Sequence, residues 1–523
     1  MLGEGAIHST LAVSLLLWPL LVGLCLTFAL EFLLQPSVAC FWRRPFNTFC
    51  LHLGSFLLLY CVALLLCWRP WFALSIVLSF QLLLVLVNNA KYHSMREPFL
   101  IYDFEYFTDA IKHPRLYLPF FGIFKAILAA VGFVAVVALA MVIEPSLLNA
   151  GGLLQWLAIM TGVVVFSVSL IWLGVQLNRT EMTLQPEKDF VKVGLVSFLW
   201  LYGMAHIRHQ PVSRAAGWKD DFNAEAELHQ LPNLIAVQSE SFFDLRKDYD
   251  LLNPDLLAQF DDICREAAQF GRLSVPAWGA NTIRTESAFL TGLEASHFGV
   301  HQFSPYRHFM KNQQYTLAHL LKEKGYRTVC IHPYEASFYM RDLLYPQLGF
   351  DHFIDINAFS DSQKQGQYIG DIAVADKVGE LLGKSEQPLF VFVITMENHG
   401  PLHLEKPDPV DQQLFYKGEN QPEGCDDLTV YARHLSNADQ MAAMLRQQLH
   451  NDSREGVLCW YGDHVPIMAD VYRHLGEPSG LTDYFVWTTS PEKQPVFSKE
   501  SVSMDVSALL PLVAQQLNRL TSL

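Results

Sequence analysis

Two segments decide the fold. Leu-Pro-Asn-Leu-Ile-Ala-Val-Gln-Ser-Glu-Ser-Phe-Phe occupies 231–243, and Trp-Gly-Ala-Asn-Thr-Ile-Arg-Thr-Glu-Ser-Ala-Phe-Leu-Thr-Gly-Leu occupies 278–293. The first reads as a buried strand that runs into a carboxylate, Glu240. The second reads as a loop that delivers a hydroxyl, Thr282, to the start of an apolar helical pattern. A carboxylate and a hydroxyl held this way suggest a metal-assisted nucleophile.

Outward from this stretch, strand-like runs at 233–238, 327–331, 389–395, 457–461 and 484–488 alternate with helical patterns at 255–269, 315–324, 372–382 and 427–449. That alternation predicts an α/β domain with a mostly parallel central sheet, which binds ligands beyond the carboxyl ends of its strands. Those ends are polar here. They are Ser239-Glu240, then His332, then Glu397-Asn398-His399-Gly400-Pro401, then Gly462-Asp463-His464. Carboxylate and imidazole are the donors that suit Zn²⁺ or Mn²⁺. One histidine at a strand end is more often structural than a ligand; four such endings on one sheet edge point to a metal site.

Thr282 alone would read as a helix N-cap. A helix start also favours a phosphate, so the same place suits a nucleophile. Thr285 and Ser287 are competing hydroxyls. Asp371 reads as the N-cap of the helix from 372, and Glu397 as a support for the site's ligands. His297, His301 and His308 read as a polar loop near the substrate.

The first third has another texture. The 523-residue chain is 51% hydrophobic, with mean hydropathy +0.19. The excess lies in apolar runs at 10–34, 49–67, 71–87, 119–142 and 153–175, each long enough for a membrane-spanning helix. A shorter run at 191–204 reads as an interfacial helix. The expected architecture is an N-terminal α-helical transmembrane bundle of about five spans (1–180), a juxtamembrane interfacial linker (181–230) and the α/β domain (231–523). The formal charge of −15 argues against nucleic acid as a partner. Arg43, Arg44, Lys91, Arg96, Lys112 and Arg115 in the first loops would place those loops, and with five spans the C-terminal domain, in the cytoplasm.

Gln-Ser-Glu-Ser-Phe at 238–242, Asn-Thr-x-Arg-Thr-Glu at 281–286, His332 with Ser337-Phe338-Tyr339-x-Arg341-Asp342, Asn398-His399-Gly400-Pro401 and Gly462-Asp463-His464 occur in this order. Together they resemble the sulfatase-like branch of the alkaline phosphatase superfamily, and within it the lipoteichoic acid synthase group of membrane phosphoglycerol transferases. The apolar spans match that group too. The resemblance implies one divalent metal, Mn²⁺ first with Zn²⁺ or Mg²⁺ as alternatives, held by Glu240, Thr282, Asp463 and His464. It implies Thr282 as the nucleophile that becomes phosphorylated, and His399 as an acid or phosphate ligand. His332 and Arg341 would bind phosphate or headgroup, with Tyr339, where the group often has tryptophan, as a wall. The implied donor is a membrane phospholipid and the implied acceptor a glycan or glycolipid. Phosphoethanolamine transfer or sulfatase-like phosphodiester hydrolysis are the alternatives. No Cys/Ser-x-Pro-x-Arg motif surrounds Thr282, which argues against a formylglycine sulfatase. The group also implies a bacterial inner-membrane protein whose catalytic domain faces outward, against the loop charges; the outward orientation is the expectation adopted, because such substrates are assembled outside.

Overall fold

The computed structural model describes residues 2–106, 127, 131–135, 138, 144–149, 152–178, 182–208, 231–418, 421–490 and 500–521. The chain divides into two compact units, Met1–His209 and Gln210–Leu523.

Among the described residues of the first unit, four helices are long and apolar enough to cross a membrane: α1 (Leu2–Leu30, its apolar stretch running on to Leu33), α2 (Phe46–Cys67), α3 (Pro70–Met95) and α4 (Leu153–Gln176). The expected span at 119–142 falls almost wholly outside the described residues. Helices α2 and α4 pack through small residues. A Cβ on Gly54 would lie 2.9 Å from the Ser167 carbonyl, and one on Gly174 would lie 2.9 Å from that of Asn47. Glycine permits such backbone approach between apolar helices, where dispersion drives association. Polar groups are paired internally. Arg44 Nη1 donates to Glu31 Oε2 at 2.7 Å, both buried. The Glu144 carboxylate accepts from the N–H groups of Trp71 and Phe72 at the start of α3.

Two shorter helices of this unit are α5 (Pro186–Val193) and α6 (Leu195–Arg208), split by Gly194 at φ +78°. Helix α6 packs on α2. Ser197 Oγ donates to the Thr48 carbonyl at 3.0 Å, and Trp200 Nε1 to Ser55 Oγ at 2.7 Å. Lys91 is tied to Glu97 and Asp103 at 2.8 and 2.7 Å. Two of the six cations in the loop count, Arg44 and Lys91, are thus neutralised inside the fold, which weakens that count as a guide to orientation.

The second unit is built on an eight-stranded sheet. Its strands are β1 (Asn233–Ser239), β2 (Gln269–Ser274), β3 (Arg327–Ile331), β4 (His352–Ile354), β7 (Leu389–Ile394), β8 (Gly456–Gly462), β9 (Thr482–Thr488) and β10 (Met504–Asp505). Strands β5 (Lys364–Gln365) and β6 (Tyr368–Ile369) make a separate antiparallel pair. The order is β10-β2-β9-β8-β1-β7-β3-β4. Strands β8, β1, β7, β3 and β4 are mutually parallel; β9 runs antiparallel to both its neighbours. The five expected strands are present. The pattern at 255–269 is shorter as a helix than expected, because α7 spans Ala258–Glu266 and β2 begins at Gln269. The mixed burial of β2 and the three-residue length of β4 hide both from periodicity.

The central strands are buried on both faces. Ile235 and Val237 point into one core with α9 (Asp371–Leu382) and α10 (Asp426–Asn451). Leu234 and Ala236 point into the other with α8 (Thr282–Thr291) and α11 (Leu509–Thr521). Apolar side chains at every position leave only the strand ends free to carry polar chemistry.

Candidate active site

Parallel register brings the strand ends together. Ser239 pairs with Gly462, so Glu240 and Asp463 are next in line on adjacent strands. Their ligand atoms and those of His464 lie within 4.8 Å of one another, all three residues buried. His464 Nε2 is 3.6 Å from Glu240 Oε1 and 3.4 Å from Asp463 Oδ2. The turn is held tightly. A Cβ on Gly462 would lie 1.8 Å from the Phe242 carbonyl oxygen, so only glycine fits. Ser241, which the sequence reading did not single out, sits at φ +53°. Its N–H donates to Asp463 Oδ1 at 2.8 Å and its Oγ to Glu240 Oε1 at 2.9 Å. The second carboxylate oxygen of Asp463 is buried without a hydrogen-bond donor.

These donors fit a divalent cation. Burial first, then the Asp463 charge, pushes the Glu240 carboxyl up to about 8. Two carboxylates in so dry a place resist joint ionisation unless a cation compensates them. An imidazole and two carboxylates around an unsatisfied oxygen form a hard O/N donor set.

Thr282 is the first residue of α8, and the N-cap is Asn281, at φ +67° and without a side-chain cap. The competing reading of Thr282 as the helix cap does not hold: Asn281 takes the cap place in a left-handed turn. The competing hydroxyls are occupied. Thr285 Oγ1 donates to the Asp463 carbonyl at 2.9 Å, and Ser287 Oγ to that of Ile283 at 2.6 Å. Thr285 thus ties the helix to the strand end that bears Asp463.

The other half of the site is a buried cation with its own counter-charge. His332 pairs with the end of β7: its Nδ1 donates to the Ile394 carbonyl at 3.1 Å, so its Nε2 accepts from Arg341 Nη1 at 3.2 Å. Arg341 Nη2 is ion-paired with Glu286, one turn along α8 from Thr282. Tyr345 OH donates to the same carboxylate at 2.7 Å, and Tyr306 OH also donates to it. The half-buried ring of Tyr339 has its centroid 5.3 Å from the Arg341 guanidinium carbon. Burial, then Arg341, holds His332 neutral, with its pKa well below the usual range. Glu286, Tyr306 and Tyr345 were not picked out from sequence. Glu286 lay inside a quoted motif, but its partner is 55 positions away.

His399 Nδ1 lies 2.7 Å from the Gly400 carbonyl, which can only accept, so Nδ1 carries the hydrogen and Nε2 offers its lone pair. Burial lowers its pKa; Asp463 opposes the shift and Arg341 adds to it. Asp371 does not cap its helix as expected. Its own N–H donates to Glu397 Oε2 at 2.7 Å, so Glu397 supplies the cap from the end of β7. Both Asp371 carboxylate oxygens are buried without donors, and burial with the Glu397 charge raises its pKa well above the usual range. Of the three loop histidines, His301 and His308 stack at 4.7 Å. Among the described residues, only Glu240, Asp463 and His464 bring three possible metal-binding side chains together.

A mostly parallel sheet with acid and imidazole donors at its carboxyl edge defines an alkaline phosphatase-like α/β domain. The family model for sulfatases matches residues 232–518, and the chain belongs to that family. The capsular polysaccharide biosynthesis protein RkpI of Rhizobium meliloti (strain 1021) is 27% identical over 443 residues, 80% of this chain and 77% of that protein. Lipoteichoic acid synthase 1 of Bacillus subtilis (strain 168) is 27% identical over 262 residues, 48% of this chain and 39% of the synthase. Among solved structures, the Streptococcus pyogenes phosphoglycerol transferase GacH in complex with sn-glycerol-1-phosphate aligns with a TM-score of 0.45 at 23% identity. That alignment covers 58% of this chain and 82% of GacH.

Proposed function

We propose that this chain is a membrane phosphotransferase that moves a phosphoglycerol-type headgroup from a phospholipid to an extracytoplasmic glycan or glycolipid through a phospho-Thr282 intermediate. The observation that carries the reading is the pairing of a cation-demanding acid cluster with a self-neutralised guanidinium at one sheet edge. Similarity to RkpI and to a lipoteichoic acid synthase supports the choice of substrates, and the apolar helices suit a donor that lies in a bilayer. We place the chain in a bacterial inner membrane with 231–523 facing outward.

Glu240, Asp463 and His464, with Thr282 beside them, would hold the cation, Mn²⁺ in this reading. When bound it supplies charge neutralisation and makes a nearby hydroxyl more acidic. The remaining steps belong to the chain. Thr282 Oγ attacks the phosphodiester phosphorus as the bond to the diacylglycerol oxygen breaks. His399 Nε2, free to accept by its tautomer, takes the threonine proton and passes it to the departing oxygen. In the second half, His399 takes the proton of the acceptor hydroxyl, that oxygen attacks phosphorus as the bond from phosphorus to Thr282 Oγ breaks, and the proton passes to the released Thr282 oxygen. Arg341, fixed by Glu286 and His332, orients the headgroup phosphate under Tyr339 without itself transferring a proton. Such a cycle is ping-pong.

The test is to give the purified full-length chain phosphatidylglycerol or phosphatidylethanolamine labelled in the headgroup. Label trapped on the Thr282 peptide and absent in Thr282→Ala is expected. Turnover that survives Thr282→Ala would sink the mechanism. The label that is retained identifies the donor.

A further inference from the structure

The membrane unit contains a cavity of about 520 Å³ that none of these steps uses. Its size falls in the range of small-molecule pockets, about 300–1,000 Å³. It lies between α1, α2, α3, the segment at 101–104 and α6, with Phe56, Leu59, Phe80, Leu84 and Leu199 among its walls. The polar side chains on the wall bond to the protein, except that His52 Nδ1 has no hydrogen-bond partner and lies 3.7 Å from Glu31 Oε1. Gln81 Nε2 donates to the Thr27 carbonyl at 2.8 Å, and His52 Nε2 lies 3.1 Å from Thr27 Oγ1. Trp200 bonds to Ser55, and His206 to Tyr102 OH. A cavity whose polar groups are nearly all paired and whose walls are mostly apolar offers water little, and an apolar occupant much.

The rim identifies that occupant. Leu59, Phe80 and Ile207 line the cavity and are 42%, 42% and 76% exposed. Leu59 and Phe80 lie on α2 and α3, which are long and apolar enough to cross a bilayer, where such exposure faces hydrocarbon; Ile207 lies at the end of the shorter α6. Arg208 follows Ile207 at the end of α6; it is exposed and has no ion-pair partner among the described residues. A cation beside an apolar mouth at a helix end matches a lipid phosphate above an acyl chain. We propose that the cavity seats one acyl chain of an anionic glycerophospholipid whose phosphate lies at Arg208. That this lipid is the donor rests on the transferase reading; occupation of the cavity does not.

The space can be filled without disturbing the backbone, because a Cβ on Gly203 would meet nothing nearer than the Ile101 side chain at 3.7 Å. The experiment uses the full-length chain bearing Thr282→Ala, so that no donor is consumed, in nanodiscs of phosphatidylglycerol carrying a diazirine on one acyl chain. After irradiation, adducts are expected on the 52–59 and 199–207 segments. Gly203→Phe should reduce them severalfold, whereas Leu154→Phe on the outer face of α4 should not. Arg208→Gln should lower labelling by phosphatidylglycerol more than by phosphatidylcholine. Should Gly203→Phe fail to fold, Leu59→Trp narrows the mouth instead. Adducts confined to outward residues such as Leu66 and Trp172, unchanged by these variants, would overturn the proposal. Absent cavity labelling in a chain whose Thr282 form still transfers headgroup would sink this inference alone. Cavity labelling without transfer would sink the transferase reading alone.

Discussion

The two halves of the site solve the same electrostatic problem in opposite ways. Around Arg341, one guanidinium meets one carboxylate; Tyr306 and Tyr345 donate to that carboxylate, and His332 accepts from Arg341 Nη1, while Arg341 Nε is buried without a partner. Around Glu240 and Asp463, two carboxylates meet one imidazole, and an Asp463 oxygen is left without a donor. The first half is balanced in charge as folded and can be rigid before substrate arrives. The second is completed only by a cation, so its geometry and the protein's stability should depend on metal.

The largest break in this comparison comes from the incomplete half. Asp463→Ala should lower headgroup transfer by on the order of 10³-fold, as loss of a principal electrostatic group does, measured as initial rate at saturating metal. A loss under tenfold would show that the acid cluster is not central. In the balanced half, Glu286→Gln leaves Arg341 buried without its counter-charge. Breaking a buried pair typically costs about 3–5 kcal/mol, so the urea midpoint should fall sharply; an unchanged midpoint would mean that the pair is not structural. Arg341→Lys should fold better than Glu286→Gln yet lose kcat/KM by roughly 10–100-fold, because an ammonium cannot fork between two partners.

A third effect separates the halves by pH. Glu240 has a folded pKa of about 8 against 4.5 for the free group. A raised carboxyl pKa stabilises the fold fully below 4.5, and that contribution is lost as pH rises through about 8. His332 and His399 have the opposite sign. Their pKa values are depressed, so the unfolded chain takes up protons first and stability falls as pH drops below about 6.5. Chelated protein should therefore lose Tm between pH 6.5 and 8 relative to metal-loaded protein, in which the cation has displaced the Glu240 proton. Parallel Tm curves for the two forms would contradict the assignment of Glu240. The smallest effect expected is that of Tyr339→Phe, which keeps the ring over Arg341. It should change KM for donor less than about threefold if the ring is only a wall.

Much of this could be read in the residues. The strands at 233–238, 327–331, 389–395 and 457–461 were legible because a parallel strand buried on both faces is continuously apolar and its polar residues are pushed to its end. Glu240, His332, His399, Asp463 and His464 stood out for that reason. Glu286, Tyr306 and Tyr345 did not. They are a helical acid and two aromatics with ordinary local roles, and only the folding of 282–291 against 341–345 makes them one network. Asp371 misled because Asp before a helix is a common cap; the cap is a glutamate 26 positions away. The loop cations are a weak guide to orientation, because composition does not show that Arg44 and Lys91 are spent on ion pairs within the fold.

Sequence by itself determined the two-part organisation, the parallel sheet and the polar strand ends, since each follows from local periodicity and length. Tertiary structure alone decided which of those ends come together, that Asn281 rather than Thr282 takes the cap position, and that one half of the site is balanced in charge while the other gathers two carboxylates around one imidazole. The reason is that charge balance is a sum over groups brought together from distant segments. Glu240 and Asp463 stand 223 positions apart, and no local pattern can show that each will feel the other's charge.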